Sequence, residues 1–250
     1  MGTRANTSRS RNLLLDALPV QDYESLRHKL EIISLEPKQV LHNPGEPSAY
    51  VYFPRGGFLS MVVVLKNGAM VEVATVGREG MAVASPRGPG RVAATNTLVV
   101  VQGFTESCYR MSSDDFNDEM DRCQAFMQLM TRYADAFLGV VMQATGCNAA
   151  HTVEQRLCKW LLMAEDRMEA AEFSLTQEFV AMMLGATRQT VTVVAGAIQR
   201  KGLITYHRGR VKIVDRAGLE AASCECYRVS ARLLRDAVTP LPKARSARAK

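Results

Sequence analysis

Short apolar runs alternate with polar and turn-forming residues in the first half of the chain. Between Pro37 and Arg110 these runs are rich in Val, Tyr, Phe and Leu and are separated by Gly and Pro, a pattern typical of β-strands. Lys66-Asn67-Gly68 separates two of them, and Asn-Gly accepts the positive φ angles of a tight hairpin. We therefore expect an antiparallel β-roll. Its strands are predicted at 39–42, 50–53, 58–65, 70–76 and 98–101, with two short helices before it, within 12–34.

A helical period replaces this alternation after Ser113. Apolar residues recur there at alternating spacings of four and three over about four heptads, which is the a/d pattern of paired helices. The stripe consists of Phe116, Met120, Cys123, Met127, Met130, Ala134, Phe137, Val141 and Ala144. It predicts one long helix over 114–150 whose seam pairs two copies of the chain, with packing inside one chain as the alternative. A further amphipathic helix is predicted over 151–168.

The segment from Leu175 to Ile213 carries the most specific pattern in the chain. Thr176 and Thr187 are good N-caps for two predicted helices, 177–184 and 188–201. Gly185 can end the first helix in a left-handed conformation. A small residue at the helix contact, a turn glycine and branched residues inside the second helix are the requirements of a helix-turn-helix. Ala181, Gly185, Val191 and Val194 meet them together.

Two further apolar runs, 203–206 and 211–214, flank His207-Arg208-Gly209-Arg210 and predict a β-hairpin with a basic tip, the wing of a winged helix-turn-helix. A helix fits the major groove of B-DNA, where its N-terminal side chains reach the base edges. Arg188 is the expected guanine contact. Gln189 is expected at an adenine or a phosphate, and Thr190 at the backbone or a thymine methyl. The expected phosphate contacts are Thr176, Thr187, His207, Arg208 and Arg210.

Charge is distributed unevenly along the sequence, which strengthens this interpretation. Residues 1–151 carry 14 Lys and Arg against 15 Asp and Glu, whereas residues 152–250 carry 17 against 10. A nearly neutral half joined to a basic half suggests that the second half meets a polyanion, most commonly nucleic acid. A basic solvated surface with a ragged basic tail is the alternative explanation for part of the excess.

Overall composition excludes several classes of protein. Hydrophobic residues make up 47% and charged residues 22% of the chain, which rules out a disordered or collagen-like protein. The longest apolar runs, such as 61–65 and 137–142, fall far short of the roughly 18 residues that cross a bilayer. Residues 1–11 are basic and polar and lack the apolar core of a signal peptide. We therefore expect a cytoplasmic protein with no membrane partner.

The six cysteines are too sparse for a disulfide framework, so free thiols are expected. Cys224-Glu225-Cys226 supplies two metal ligands where zinc usually takes four, and packed thiols are therefore favoured over a metal site. The four histidines are scattered, and no nucleophile motif or phosphate-binding loop occurs. The sequence thus predicts no enzyme, no metal and no cofactor.

A β-rich first module, a long pairing helix and a winged helix-turn-helix together resemble the CRP/FNR family of bacterial transcription regulators. The segment from Leu175-Thr176-Gln177-Glu178 through Gly185-Ala186-Thr187-Arg188-Gln189-Thr190-Val191 to Lys201-Gly202-Leu203-Ile204 carries the resemblance most closely. The resemblance implies an α+β fold with a cyclic-nucleotide-binding-like β-roll over 1–113. It further implies a dimerisation helix over 114–150 and a DNA-binding domain with a basic tail over 151–250. Duplex DNA, a second copy of the chain and RNA polymerase are the implied partners.

The sequence departs from the family pattern at positions that determine the DNA target sequence and the effector. Many members carry Arg-Glu-Thr-x-x-Arg on the recognition helix, but Gln189 and Val193 replace its Glu and second Arg, so the familiar target sequence is not expected. In the sensor half, Gly80 and Arg91 remain at the positions that hold a cyclic nucleotide, whereas the Glu and the hydroxyl are absent. We expect a small-molecule effector of unknown identity, other than cyclic AMP.

A different class of function remains open. The chain fits a β-roll small-molecule-binding protein or cupin-like enzyme whose basic C-terminal half serves packing or protein contacts. Steep loss of DNA affinity with rising salt would distinguish a DNA-binding regulator from this alternative.

Overall fold

The computed structural model describes residues 9–82, 97–102, 107–168 and 172–239. It shows an α+β fold with antiparallel sheets in the first half, a long central helix and a helix-turn-helix in the second half, as the sequence predicts. The helices are α1 (Leu13–Asp16), α2 (Val20–Leu26), α3 (Ser113–Arg122), α4 (Gln124–Ala150), α5 (Val153–Met168), α6 (Gln177–Leu184), α7 (Arg188–Arg200), α8 (Arg216–Ala222) and α9 (Cys226–Val238). The strands are β1 (Glu31–Ile33), β2 (Val40–His42), β3 (Tyr50–Pro54), β4 (Phe58–Val64), β5 (Met70–Val76), β6 (Thr97–Gln102), β7 (Cys108–Ser112), β8 (Glu172–Ser174), β9 (Ile204–His207) and β10 (Arg210–Ile213).

Two sheets face each other in the first half and form the predicted roll. One has the strand order β2-β6-β4-β5 and the other β1-β7-β3, and neighbouring strands are antiparallel throughout. The hairpin between β4 and β5 turns at Gly68, whose φ is 79°, which confirms the Asn-Gly prediction. Strands β1 and β7 were not predicted, and β1 lies in a segment expected to be helical. Both are short, and their pairing with each other and with β3 comes from distant parts of the sequence.

The single long helix predicted over 114–150 is wrong in one respect, since the chain breaks at Cys123. This residue has extended dihedrals, φ −113° and ψ 104°, and its sulfur caps α4 by accepting from the Phe126 amide at 3.5 Å. The predicted seam also divides between two environments. Met130 is buried against the roll, whereas Met127 is exposed. Both residues belong to α4, so the predicted seam spans an inner and an outer face of this helix.

Helix α4 lies against the roll at one closely packed point. The hydroxyl of Tyr133 donates to the Met81 carbonyl at 3.0 Å, and the ring of Tyr133 covers Gly80. A Cβ atom on Gly80 would lie 2.2 Å from that hydroxyl oxygen. Gly80 therefore lets the helix approach the sheet, and Tyr133 fills the space beside it.

Helix α9 packs along the other side of α4 and was not predicted as a separate element. Leu234 of α9 shares a buried cluster with Val140 of α4, and Leu233 lies over Gly139. Helix α9, the last element of the described chain, therefore packs against the central helix and joins the buried cluster that this helix forms with the roll.

An apolar interface joins the roll to the helix-turn-helix half. Phe58 and Val62 of β4 belong to the same buried cluster as Trp160 of α5. The Trp160 ring packs edge-on to Phe58 and to Phe179, with centroid separations of 5.9 and 6.0 Å. Aromatic pairs in this geometry add to the stabilisation from burial alone.

Two side chains of α5, those of Arg167 and Trp160, make polar contacts across the same interface. Arg167 of α5 is 7% exposed; it donates to the Glu79 carboxylate from Nε and Nη2 at 2.9 and 2.7 Å, and to the Thr75 hydroxyl at 2.6 Å. Burial alone would raise the pKa of the Glu79 carboxyl, but the Arg167 charge and hydrogen bonds outweigh it and the pKa is lowered. This arginine is therefore paired rather than left as an isolated buried charge.

Glu72 of β5 is the second polar contact. It accepts from the Trp160 indole at 3.0 Å and from the Ser60 hydroxyl at 2.5 Å. Burial raises the pKa of the Glu72 carboxyl to about 7, although both hydrogen bonds act in the opposite direction. The neutral acid is therefore the form that suits this interface.

No single helix in the described ranges is both long and apolar enough to cross a bilayer. The pair α6 and α7 together has the length and composition of a span, but it is bent by 104°.

We expect the free energy of unfolding to depend on pH through Glu72. Because its folded pKa lies above the unfolded value of 4.5, the stabilisation is complete below about pH 4.5 and is lost as the pH rises through about 7. The loss should amount to about 1–3 kcal/mol. Urea denaturation across this range should show it in the wild type and not in Glu72→Gln, which can keep both hydrogen bonds. Glu36→Gln, at an exposed position, is the matched control, and an unchanged pH dependence in Glu72→Gln would contradict the assignment.

Gly80→Ala should destabilise the fold by about 1–3 kcal/mol because the added methyl overlaps the buried Tyr133 ring. Gly56→Ala is the control, since its Cβ would meet nothing within 4 Å. Thermal denaturation followed by circular dichroism measures both. Equal melting temperatures for the two variants would show that Tyr133 moves aside freely.

Candidate nucleic-acid interface

The helix-turn-helix is built by three local signals that the sequence contains. The Thr176 hydroxyl accepts from the Phe179 amide at 3.2 Å and caps α6, and the Thr187 hydroxyl accepts from the Thr190 amide at 3.1 Å and caps α7. Gly185 ends α6 in the left-handed region, with φ 57° and ψ 39°. The helices meet at 104°, within the range of DNA-binding helix pairs. The predicted bounds of both helices are confirmed to within one residue.

Packing at the helix crossing follows the predicted pattern. Ala181 and Val191 are buried where α6 and α7 meet, and Val194 is half-buried against the same cluster. The Ala186 amide donates to the Ala181 carbonyl at 2.9 Å and closes the turn. The inner face of α7 is thus fixed to the domain, which leaves its opposite face to solvent.

That outer face carries the predicted base-reading residues. Arg188 and Gln189 are exposed at the first turn of α7, and Val193 is 68% exposed one turn further along. Thr190 is half-buried, and its hydroxyl lies 2.9 Å from that of Thr187. The structure therefore leaves Arg188 and Gln189 freer to meet a ligand than Thr190.

The wing has the predicted hairpin and one strand more. Strands β9 and β10 are joined by Arg208-Gly209, both with positive φ, 48° and 76°, which is the geometry of a type I′ turn. Strand β8 pairs with β10 and was missed, because a three-residue strand has no periodicity to recognise. His207 and Arg208 are exposed at the wing tip. Arg210 is ion-paired with Glu172 of β8.

A groove of about 600 Å³ between α7 and the wing brings several of these residues together. Thr176, Arg188 and Arg208, which the sequence predicts as contacts, all line it. Gln177, Thr192 and Gln199 also line it and were missed; the Thr192 hydroxyl donates to the Gln177 amide oxygen at 2.8 Å. Thr192 lies one helical turn after Arg188, a spacing that could have indicated it.

The effector residues are less well placed than the DNA-contact residues. The Tyr133 side chain fills the space beside Gly80. Arg91 lies outside the described residues. A separate cavity of about 670 Å³ lies between the roll and the helix-turn-helix half. Aromatic side chains, including Phe58, Trp160 and Phe179, and cationic ones, including Lys38 and Arg55, line it.

One group of side chains in the described ranges has the composition of a metal site. The ligand atoms of Cys147, His151, Cys224 and Cys226 all lie within 4.8 Å of one another. A hydrogen bond from the Cys224 thiol, with the nearby Lys159 ammonium, lowers the pKa of the Cys147 thiol to about 4. The sequence pattern associated only Cys224 with Cys226. The i, i+4 spacing of Cys147 and His151 is the signal that could have added the other two.

Sequence comparison finds a family match within the second half of the chain. Residues 155–222, from α5 to α8, match the family of Crp-like helix-turn-helix domains. A search of curated protein sequences returned no significant match.

Structural comparison finds the same architecture over most of the chain. A protein from Eubacterium rectale assigned to the CRP/FNR family of transcriptional regulators is 16% identical, with a TM-score of 0.66, over 84% of this chain and 96% of its own. FixK2 from Bradyrhizobium japonicum is 14% identical, with a TM-score of 0.61, over 78% and 98%. The c-di-GMP-responsive global regulator CLP from Xanthomonas campestris is 13% identical, also with a TM-score of 0.61, over 78% and 99%.

The predicted resemblance to transcription regulators of the CRP/FNR family is thereby confirmed. The chain carries a Crp-like helix-turn-helix domain at residues 155–222 and, over about four-fifths of its length, has the fold of transcription regulators of the CRP/FNR family.

Proposed function

We propose that this protein is a sequence-specific DNA-binding transcription regulator that acts as a homodimer. The observation that carries the proposal is the exposed outer face of α7, where Arg188 and Gln189 stand in solvent and no part of the described roll covers them. A helix presented in this way can enter the major groove with its N-terminal side chains toward the bases.

Base recognition is assigned to three side chains on that face. Arg188 pairs with the two acceptors of a guanine, and Gln189 with the donor and acceptor of an adenine. Val193 takes the place where many family members carry a second arginine, and its 68% exposure leaves it free to contact a thymine methyl. Thr190, which is hydrogen-bonded to Thr187, is assigned to the DNA backbone.

Phosphate contacts surround these residues. Arg208 and His207 at the wing tip are assigned to phosphates of one DNA strand. Thr176 and Thr187 lie at the amino ends of α6 and α7, where backbone amides favour anions. Arg210 belongs to the same surface. To bind a phosphate, its guanidinium must break the ion pair with Glu172 or bind both anions at once.

Dimerisation is assigned to the outward face of α4. Leu138 and Met142 are 54% and 65% exposed, and Met127 is 36% exposed on the same helix. Large apolar side chains aligned on one exposed face are the usual mark of a protein interface. Pairing along α4 would hold two copies of α7 for successive major grooves, about 34–36 Å apart.

Control by a small molecule is assigned to the roll, with RNA polymerase as the further partner in transcription. Tyr133 occupies the space beside Gly80, which favours an effector other than cyclic AMP. The cavity between the two halves, with aromatic and cationic walls, favours a ring-bearing anion. A ligand there would act by preferring one placement of the DNA-binding half over another.

The alternative function is a small-molecule-binding roll with a basic protein-contact domain. The salt dependence of DNA binding distinguishes the two functions. A DNA-binding regulator should select defined sites from random DNA and lose affinity steeply as the salt concentration rises. Absence of any complex at low salt, with and without small-molecule extracts, would favour the alternative function.

Arg188→Ala should weaken binding to the selected site by about 1–3 kcal/mol and relax the sequence preference at one base pair of each half-site. Arg27→Ala, at an exposed arginine of the N-terminal region, should leave the affinity unchanged. Fluorescence anisotropy with single-base variants of the site measures both effects. Equal weakening on every sequence would make Arg188 a phosphate contact.

Leu138→Glu combined with Met142→Glu should convert the dimer to a monomer, because each places a charge in the proposed interface. Light scattering after size-exclusion chromatography should then give the mass of one 27.5-kDa chain. Leu65→Glu, at a 46% exposed leucine beside the β4–β5 turn, is the control and should stay dimeric. A wild-type monomer would overturn the dimer assignment directly.

A further inference from the structure

Four side chains from two distant parts of the sequence converge where α4 ends and α9 begins. Cys147 lies in the last turn of α4 and His151 in the link to α5, while Cys224 and Cys226 flank the start of α9. Cys147 and Cys226 are fully buried, and Cys224 is 4% exposed. Three buried sulfur atoms thus lie beside the ring of His151, which is half-buried.

Two distances inside this cluster match those around a tetrahedral ion, and all the ligand atoms lie within 4.8 Å of one another. Zinc–sulfur and zinc–nitrogen bonds of about 2.3 and 2.0–2.1 Å imply ligand separations of about 3.8 Å between two sulfurs and about 3.6 Å between sulfur and nitrogen. The Cys147 and Cys224 sulfurs are 3.6 Å apart, and the Cys226 sulfur lies 3.6 Å from Nδ1 of His151. Little movement is needed to place an ion at the centre.

The imidazole is already oriented as a ligand. Its Nδ1 faces the cluster, and its Nε2 lies 3.3 Å from the Glu225 carboxylate. A metal-binding histidine typically donates its other ring N–H to a carboxylate, which fixes the tautomer that leaves the facing nitrogen free to bind. Glu225 stands between the two C-terminal cysteines in the sequence and supplies that partner.

Two donors from outside the cluster point at its sulfur atoms. The Gln143 amide donates to the Cys226 sulfur at 3.0 Å, and the Lys159 ammonium donates to the Cys147 sulfur at 3.5 Å. Three thiolates and one divalent cation carry a net charge of −1, which the Lys159 charge balances. A buried charge needs this kind of compensation.

Two other buried cysteines show what a packed thiol looks like in this protein. Cys108 and Cys158 are both fully buried. The Cys108 thiol donates to a backbone carbonyl, and neither residue belongs to the Cys/His group. The cluster therefore differs from ordinary apolar packing of cysteine.

We propose that Cys147, His151, Cys224 and Cys226 form a closed four-ligand site for a thiophilic divalent cation, with Zn²⁺ as the resident ion. Four protein ligands leave no open coordination position, which is the arrangement of a structural site rather than a catalytic one. The ion joins the end of α4, the link to α5 and the start of α9. It thereby fixes the point at which the DNA-binding half leaves the central helix.

The direct test uses the full-length wild-type chain under reducing conditions, stripped of metal and titrated with Co²⁺ and then with Zn²⁺. We expect one equivalent of Co²⁺ with the intense ligand-field bands of a tetrahedral site and a thiolate charge-transfer band, followed by displacement by Zn²⁺. Zinc should bind with a Kd of about 1 nM or tighter. Thermal denaturation should show a melting temperature higher by about 10 °C with Zn²⁺ than with a chelator.

Variants test the individual ligands. Cys224→Ser should weaken Zn²⁺ binding by about 100-fold or more, and Glu225→Gln by about 10- to 100-fold. His151→Cys should keep one tight equivalent and strengthen the charge-transfer band, because a fourth thiolate replaces the imidazole. Cys123→Ser is the matched control, since this cysteine lies outside the cluster and serine can also cap α4.

Three outcomes would overturn the proposal, and none of them involves DNA, so failure here is distinct from failure of the proposed function. The first is uptake of less than one equivalent of metal by the reduced wild type. The second is a Co²⁺ spectrum of octahedral type. The third is unchanged Zn²⁺ affinity in a folded Cys224→Ser variant. A Cys147–Cys224 disulfide in protein that binds no metal after reduction would identify the pair as a redox couple instead.

Discussion

The buried contact between Arg167 and Glu79 determines how the two halves of this protein are arranged. Arg167 belongs to the first helix after the central one, and its guanidinium reaches the roll at Glu79 and Thr75. A buried ion pair adds little net stability compared with an apolar pair, but losing one partner costs about 3–5 kcal/mol because the other charge stays buried. Such a contact tolerates few alternative placements. The apolar surfaces of Phe58 and Trp160 beside it supply the attraction, and the ion pair selects the orientation.

Helix α4 has three sides in different environments: one faces the roll, one faces α9 and one faces solvent. Tyr133 faces the roll, Val140 faces Leu234 of α9, and Leu138 and Met142 face solvent. The apolar stripe seen in the sequence therefore does not correspond to one face of the folded helix. Met130 is buried against the roll, whereas Met127 and Leu138 are exposed.

The parts that the sequence predicted are those fixed by local chemistry. The bounds of α6 and α7 follow from two threonine caps and Gly185, and the β4–β5 hairpin follows from Asn67-Gly68. Strands β1, β7 and β8 depend on partners far along the chain, so short stretches such as Glu172–Ser174 carry no signal of their own. The Cys147 cluster was missed for the same reason, since 77 residues separate Cys147 from Cys224. Within the candidate DNA interface, the exposed residues were predictable, whereas the pairing of Arg210 with Glu172 was not.

That pairing has a consequence for the energetics of complex formation. A free cation that docks on a phosphate expels a condensed ion from the DNA, and the entropy of that release drives association. Arg210 already has an internal anion in Glu172, so in the proposed complex its docking would exchange one carboxylate for one phosphate. The number of ions expelled should therefore be smaller than the number of basic side chains on the wing, and strand β8 sets the difference.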